Sequence, residues 1–355
     1  MDVEPFALER WFARFEHDAD IMLAESGIRS LDAARFDRDP GELGYVIPTN
    51  GDPAFRETIG DRYDRPADEV LFTCGAQEAN LLAFLALVGR GDHAVVVTPT
   101  YQSLVSLPAA FGEVTTVDLT PPEWDLDVEA VKEAIRPETG VVVLNNPNNP
   151  TGKYLDESTV EAVYDVAADA GAYLLCDEVY RLLAEAPLPP VASLGEFGVS
   201  TSSVTKSYGL AGLRFGWLAG PREVVDAAWN WKDYTTISPS QFGQHLARQA
   251  IESENDILAV NRELAAENRA ITREWVERHD LSWFDPVGVN GFVTVPEGFD
   301  SGESFCRHVV EETGVVLAPG EAFGHPDRFR IGFGLATDEL EAGLARVDAL
   351  LARHG

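Results

Sequence analysis

The chain has 355 residues, 45% of them hydrophobic, with 59 acidic and 27 basic side chains and a formal charge of −32. That length and apolar content can bury one large domain and a smaller one, which excludes a disordered acidic tract. The negative field repels nucleic acid and anionic membrane surfaces, and no run of about 18 apolar residues offers a membrane span. Such acidity suits a halophilic cytoplasm, where concentrated salt screens self-repulsion. The opening Met1-Asp2-Val3-Glu4-Pro5 carries neither the basic nor the apolar region of a signal peptide. Cys74, Cys176 and Cys306 are odd in number and widely spaced, which fits a reducing cytoplasm better than a disulfide framework or a metal site.

In chain order, the first 25 residues read as helical, with Phe6, Trp11, Phe12 and Phe15 forming an apolar stripe. Residues 70–73 read as a buried strand and 76–88 as a helix. Residues 94–98 and 141–145 are further strands, and a helix over 157–170 precedes another strand at 172–177. Apolar runs then end near Thr205 and cover 215–219. Strands separated by helices imply an α/β fold with a mainly parallel sheet between helices, and such sheets gather ligands at the carboxyl ends of their strands. A polar, helix-rich stretch follows over 222–279, and the last 75 residues mix short strands and helices as a separate α+β lobe.

Lysine is scarce. Lys132, Lys153, Lys206 and Lys232 stand against 23 arginines, so each retained lysine is a candidate for chemistry that needs a primary amine. A guanidinium cannot replace it, because it forms no imine with an aldehyde. Lys132 falls in an acidic amphipathic helix, Lys153 trails a turn and Lys232 sits in a Trp-rich helix. Lys132 reads as a surface residue, and neither Lys153 nor Lys232 shows a partner set in the sequence. Lys206 follows an apolar strand and has polar neighbours, Ser203 before it and Arg214 eight residues on.

Four polar segments sit where expected strands end: Thr73-Cys74-Gly75-Ala76-Gln77-Glu78-Ala79, Asn145-Asn146-Pro147-Asn148-Asn149-Pro150-Thr151-Gly152, Cys176-Asp177-Glu178-Val179-Tyr180, and Ser203-Val204-Thr205-Lys206 leading to Arg214. In this order they resemble the class I/II aminotransferases of fold type I, over about residues 40 to 335. The resemblance implies pyridoxal 5′-phosphate as cofactor, with Lys206 carrying it as a Schiff base and shuttling a proton during catalysis. Asp177 would pair with the cofactor's ring nitrogen and keep it protonated, while Tyr180 and Asn149 would bond its ring oxygen. Gly75, Ala76 and Gln77 open a helix whose free amides and dipole favour a phosphate; Ser203 and Arg214 would complete that site. No dinucleotide-binding glycine pattern is present.

Tyr101 matches the aromatic residue that stacks on the ring in relatives, and Tyr45 the tyrosine that reaches the neighbouring subunit's phosphate. That implies a homodimer with active sites at its interface. Arg330, in Arg328-Phe329-Arg330-Ile331-Gly332-Phe333, matches the arginine that grips the substrate α-carboxylate. Arg328 would share its face of a regular strand, so an exchange between the two is open. Gly27 matches a small residue near that carboxylate. The implied organisation is an arm and part of the small domain over 1–40, a large cofactor-binding domain with a sheet of the seven-stranded type over 41–260, and a small domain over 261–355.

The function so implied is ping-pong transfer of an amino group between an amino acid and a 2-oxo acid. A rival reading comes from Met22-Leu23-Ala24-Glu25-Ser26-Gly27 and Asp233-Tyr234-Thr235-Thr236-Ile237, which are similar to a branch that includes capreomycidine synthase, whose members cyclise a hydroxyarginine derivative through β-elimination. A non-catalytic cofactor-binding regulator is the third reading, but it would carry a DNA-binding domain, for which an acidic chain of this length leaves no room. Arg29, Arg35 or Arg38 could serve a dicarboxylate substrate. Trp229, Trp231 and Tyr234 could line an aromatic pocket, although a helical aromatic stripe is more often core. His17, His93, His245, His279, His308, His325 and His354 show no metal-ligand spacing and read as surface or packing residues.

Overall fold

The computed structural model describes residues 3–89 and 91–354. Met1 and Asp2, the start of the expected arm, lie outside the described residues, as do Arg90, Gly355 and the side chain of His354. A seven-stranded sheet forms the centre, in the spatial order Val70–Thr73, Gly216–Ala219, Gly198–Ser203, Tyr173–Asp177, Thr139–Asn145, His93–Thr98 and Glu113–Asp118. Only Gly216–Ala219 runs against its neighbours; the other pairings are parallel. The expected mainly parallel sheet between helices is therefore present.

The inner strands are near-continuous apolar runs because helices cover both faces. Successive residues feed opposite sides, as the two-residue repeat of a strand demands. Val142 and Leu144 join the apolar cluster on one face, whereas Val141 and Val143 join that on the other. The last strand, Glu113–Asp118, is mostly polar and partly exposed, which explains why hydrophobic patterning passed over it. Its charged ends suit a sheet edge, where unpaired backbone otherwise invites association.

The N-terminal region departs from the expected helix. Helix covers only Ala7–Phe15, and Ile21–Met22 pairs in parallel with Val315–Val316. Asp20 and Ile21 both donate their amides to the Gly314 carbonyl, at 2.9 and 3.2 Å. Long-range strand pairing thus wins over local helical patterning after Phe15. Trp11 of the predicted stripe is buried and donates its indole N–H to the Leu317 carbonyl at 2.8 Å. The carboxyl-terminal lobe holds a three-stranded antiparallel sheet, ordered Ala318–Pro319, Arg328–Gly332 and Asn290–Thr294. Helices Gly302–Thr313 and Thr337–His354 pack on this lobe, and the 25-residue helix Glu254–Arg278 leads into it.

The arm is laid closely against that sheet. Gly332 donates its amide to the Leu23 carbonyl at 2.6 Å, and Arg29 donates to the Gly334 carbonyl at 2.6 Å. A Cβ at Gly332 would fall 1.8 Å from the Glu25 carbonyl oxygen, so backbone, not a flexible side chain, forbids it. Gly332→Ala is expected to destabilise the fold by at least ~2 kcal/mol, read as a lowered urea midpoint at unchanged slope. An unaltered midpoint would show that the arm is not held against this strand.

Candidate active site

A cavity of about 330 Å³ opens at the carboxyl ends of the parallel strands. Asn145, Asp177 and Ser203 are the last residues of three of these strands, and the parallel sheet brings them to one edge. Tyr101, Asn149, Tyr180, Lys206, Arg214 and Arg330 also line the cavity, together with Ala76 and Gln77 of the helix start and Leu8, Glu9, Phe12 and Glu16 of the arm. Residues predicted from separate segments are therefore neighbours in space.

Asp177 is 6% exposed. Its Oδ2 accepts from Asn80 Nδ2 at 2.8 Å and its Oδ1 from the Val179 amide at 3.2 Å. Asn80 is itself fixed by the Thr201 hydroxyl, which donates to Asn80 Oδ1 at 2.6 Å. Burial raises the Asp177 carboxyl despite the hydrogen bonds from Asn80 and Val179 and the Lys206 charge. Among the described residues it makes no ion pair, so the site leaves room for a cationic group against this carboxylate. Asn145 ties the same corner together: its Nδ2 donates to the Asp177 carbonyl at 2.9 Å, and its Oδ1 accepts from the Asn149 amide at 2.7 Å.

Lys206 Nζ donates to Ser26 Oγ at 2.8 Å and lies 3.4 Å from Glu25 Oε1. Burial raises the Glu25 carboxyl, but Lys206 and Arg330 outweigh it and hold the group below its usual range. Arg330 is 1% exposed. Its Nη1 donates to Asn149 Oδ1 at 2.8 Å and its Nη2 to the Ala24 carbonyl at 2.7 Å, while its buried Nε has no partner among the described residues. A buried arginine that lines the cavity and keeps N–H groups beyond these two bonds is suited to a planar anion. The two candidate arginines are separated by the structure: Arg328 stacks over Trp124 at 5.1 Å and donates to the Phe292 carbonyl, and only Arg330 lines the cavity.

At the helix start, Gly75 has φ +79°, and a Cβ there would meet Arg214 Nη2 at 2.8 Å. Arg214 adopts φ +50° and is braced by donation from Nη1 to the Ala211 carbonyl at 2.9 Å. Gln77 Oε1 accepts from Ser103 Oγ at 3.0 Å, and Ser203 Oγ accepts from the Thr205 amide at 3.2 Å. The amides that open helix Ala76–Leu87 and the Arg214 guanidinium thus form a cradle for an anion. Tyr101 donates its hydroxyl to Glu9 Oε1 at 2.9 Å; burial and Glu9 push this phenol far above its usual range.

Other candidates lie elsewhere. Tyr45 is 71% exposed and borders a separate depression with Asp52, Gln244 and Arg248. Gly27 sits behind Lys206, where a Cβ would make an ordinary 3.5 Å contact with Lys206 Cδ, so space alone does not require glycine. None of Arg29, Arg35 and Arg38 lines the cavity. Trp231 and Tyr234 are 45% and 86% exposed, whereas Trp229 packs against the core and donates to Thr49 Oγ1; none of the three lines the cavity. The expectation that Lys153 and Lys232 lack partners is also overturned: Lys153 pairs with Asp125 at 2.5 Å, and Lys232 is fully buried against Glu78. Glu25, Ser26, Asn80 and Asn145 received no site assignment from the sequence. For Asn80 the available signal was its place one helical turn beyond Ala76, on the same face.

A family model for aminotransferase class I and II matches residues 27–347. The chain belongs to this family. It is 32% identical to the capreomycidine synthase of Streptomyces vinaceus, over 98% of this chain and 94% of that protein. A solved PLP-dependent aminotransferase from Streptococcus suis is similar with TM-score 0.94 and 32% identity, covering 100% of this chain and 99% of its own. The PLP-dependent cyclase OrfR gives TM-score 0.91 and 28% identity over 100% and 99%. The fold is that of fold type I enzymes, and the cofactor is pyridoxal 5′-phosphate. The cavity fits it: a cradle closed by Gly75 and Arg214 suits the phosphate, a buried carboxylate suits the ring nitrogen, and a lysine amine suits the aldehyde.

Next to Asp177, Glu178 points into the protein, accepting from the Val191 amide at 2.7 Å and lying 3.5 Å from Arg181 Nε. Burial outweighs Arg181 and pushes its carboxyl up to about 7. The folded chain therefore holds this proton over a window where the unfolded chain has released it. Stability from this group is complete below about pH 4.5 and is lost as pH rises through about 7, a loss of roughly 3 kcal/mol. Glu178→Gln is expected to remove that decline when urea unfolding is compared with the parent from pH 4.5 to 8. An identical slope in both proteins would exclude Glu178 as its source.

Proposed function

We propose that the protein exchanges amino groups between an amino acid and a 2-oxo acid by ping-pong chemistry, with Lys206 as the proton-carrying amine. The observation that carries this reading is the convergence of Lys206, Asp177 and Arg330 on one cavity. Bound there, pyridoxal phosphate supplies an aldehyde carbon that takes up the amino group and a ring that draws in the electron pair left at Cα. The chain's own residues do the rest.

Arg330 grips the substrate α-carboxylate through its remaining N–H groups, each charge-assisted bond contributing about 1.5–3 kcal/mol. Its bond to Asn149 and the Ala24 carbonyl sets the guanidinium plane, and hence the direction of the Cα–H bond. Lys206 removes the Cα proton and delivers a proton to the former aldehyde carbon, on the other side of the transferred nitrogen; Ser26 Oγ offers the amine a resting partner beside the cavity. Asp177, aimed by Asn80 and the Val179 amide, holds a proton on the ring nitrogen. Tyr180 and Asn149 donate to the ring oxygen. Because Asn149 Oδ1 is occupied by Arg330, its NH₂ is the group available for that task. Gly75, Ala76, Gln77, Ser203 and Arg214 hold the phosphate, and Tyr101 covers the ring.

A homodimer belongs to this proposal. Leu43, Tyr45 and Ile47 are 76%, 71% and 83% exposed, an arrangement that suits a segment extending to the phosphate of a second copy. The second reading, β-elimination with cyclisation, is favoured by the capreomycidine synthase and OrfR likenesses. The two reactions differ in their need for an acceptor. Incubation with a panel of amino acids is expected to yield 2-oxo products in proportion to an added 2-oxo acid. Product formed at full rate without any acceptor would instead assign elimination.

Lys206→Ala is expected to lower turnover by at least ~10²-fold and to abolish the visible absorbance of the lysine-bound cofactor. Undiminished turnover on amino acids would end the proposal. Arg330→Lys is expected to raise KM for amino acids at least about tenfold, because an ammonium cannot make the paired contact of the planar fork.

A further inference from the structure

One buried ion pair lies outside the machinery described above. Lys232 ends helix Arg222–Lys232, with 0% of its side chain exposed, and its Nζ is 3.2 Å from Oε2 of Glu78, itself 8% exposed. Glu78 lies in the first turn of helix Ala76–Leu87, directly after the cradle. Its carboxylate also accepts from the Cys74 amide at 2.5 Å and from the hydroxyls of Thr235 and Thr236 at 2.6 and 2.7 Å. Lys232 Nζ donates to Thr236 as well. Four donors thus fix one carboxylate, and one of them is the backbone of the turn that carries Gly75.

That placement poses an electrostatic problem. A helix N-terminus attracts anions, and here a carboxylate already occupies its first turn. A phosphate dianion arriving at the Gly75–Gln77 amides would meet a like charge that is buried in the same turn, where screening is weak. Burial raises the Glu78 carboxyl, yet Thr235, the Cys74 amide and Lys232 hold it below its usual range, so protonation does not remove the charge. Lys232 does. It is also one of four lysines in a chain with 23 arginines, set in an enclosed space that suits a compact ammonium better than a broad guanidinium.

We propose that Glu78 and Lys232 are positioning residues for the cofactor phosphate: Glu78 shapes the Cys74–Gly75–Ala76 turn through the Cys74 amide, and Lys232 cancels the carboxylate charge that would otherwise oppose the dianion. The inference rests on the reading that the phosphate lies at Gly75–Gln77 and Arg214, and Arg214→Ala tests that reading separately.

The experiment strips the cofactor from the purified protein and titrates pyridoxal phosphate back, following the absorbance of the bound form. Pyridoxal, which lacks the phosphate, is the parallel probe, and thermal unfolding of each cofactor-free variant reports folding. Lys232→Met is expected to weaken pyridoxal phosphate binding at least about tenfold while changing pyridoxal binding less than about twofold. Glu78→Gln in the Lys232→Met background is expected to recover most of the loss, because it removes the uncompensated charge. Should Lys232→Met fail to fold, Lys232→Gln keeps a donor without the charge, and the same comparison applies. Parental affinity for pyridoxal phosphate in the lysine variant overturns the proposal. So does an equal loss for both probes, or a double variant that binds no better than the single one. If Arg214→Ala also leaves affinity unchanged, the cradle assignment fails; if only the Lys232 effect is missing, the cradle stands and the positioning role falls.

Discussion

The Asp177 carboxylate is the constraint around which the site is arranged. Putting an ionisable group at a strand end under 6% exposure is unfavourable unless its lone pairs are occupied and a cation completes the balance. The fold meets the first condition with neutral donors from two directions, Asn80 from the helix above the sheet and Val179 from the chain's own turn. Thr201, on the adjacent strand, pins Asn80. These contacts lock the register between helix Ala76–Leu87 and the sheet. Since that helix begins at the cradle, the distance from anion site to carboxylate is set by the same interactions that satisfy Asp177. A cofactor ring nitrogen held protonated against Asp177, as proposed above, would meet the second condition.

Parallel strands make this economical in sequence. Asn145, Asp177 and Ser203 occupy equivalent ends of neighbouring strands, so one topological rule brings three polar groups together. Asp177 and Ser203 were legible because strands ending in polar residues stand out against apolar runs, whereas Asn145 was seen only as part of its turn and given no role. Lys206 was legible because few lysines compete with it. Arg330 and Arg328 were not separable by sequence, since both lie on one face of a strand. Their fates differ through tertiary packing: Arg328 lies over Trp124, while Arg330 reaches Asn149 and the arm. The shortened first helix has a similar origin, because the segment after Phe15 is drawn to Gly314 by pairing across nearly the whole chain.

The arm links these parts. Its backbone accepts from Arg330 at Ala24 and from Gly332 at Leu23, and its side chains Glu25 and Ser26 contact Lys206. Motion of this segment would therefore act at once on the Lys206 amine and on the Arg330 guanidinium. The two most chemically specific side chains share one support, which local patterning could not reveal because no motif spans residues 25, 206 and 330.

Charge explains why the rest of the site escaped sequence reading. Acidic residues are so common here that a glutamate in a helix carries little information, and most ion pairs are at least partly exposed, such as Lys132–Glu129 at 60% and 66%, where an ion pair contributes little. Lys232 and Glu78 break that pattern, with partners 154 positions apart. A buried pair of this kind is seldom a net source of stability, since apolar residues of similar volume commonly do as well or better. Its place beside the turn proposed to take the phosphate fits electrostatic balance: the carboxylate holds the Cys74 amide, and the ammonium would keep that carboxylate from repelling a dianion.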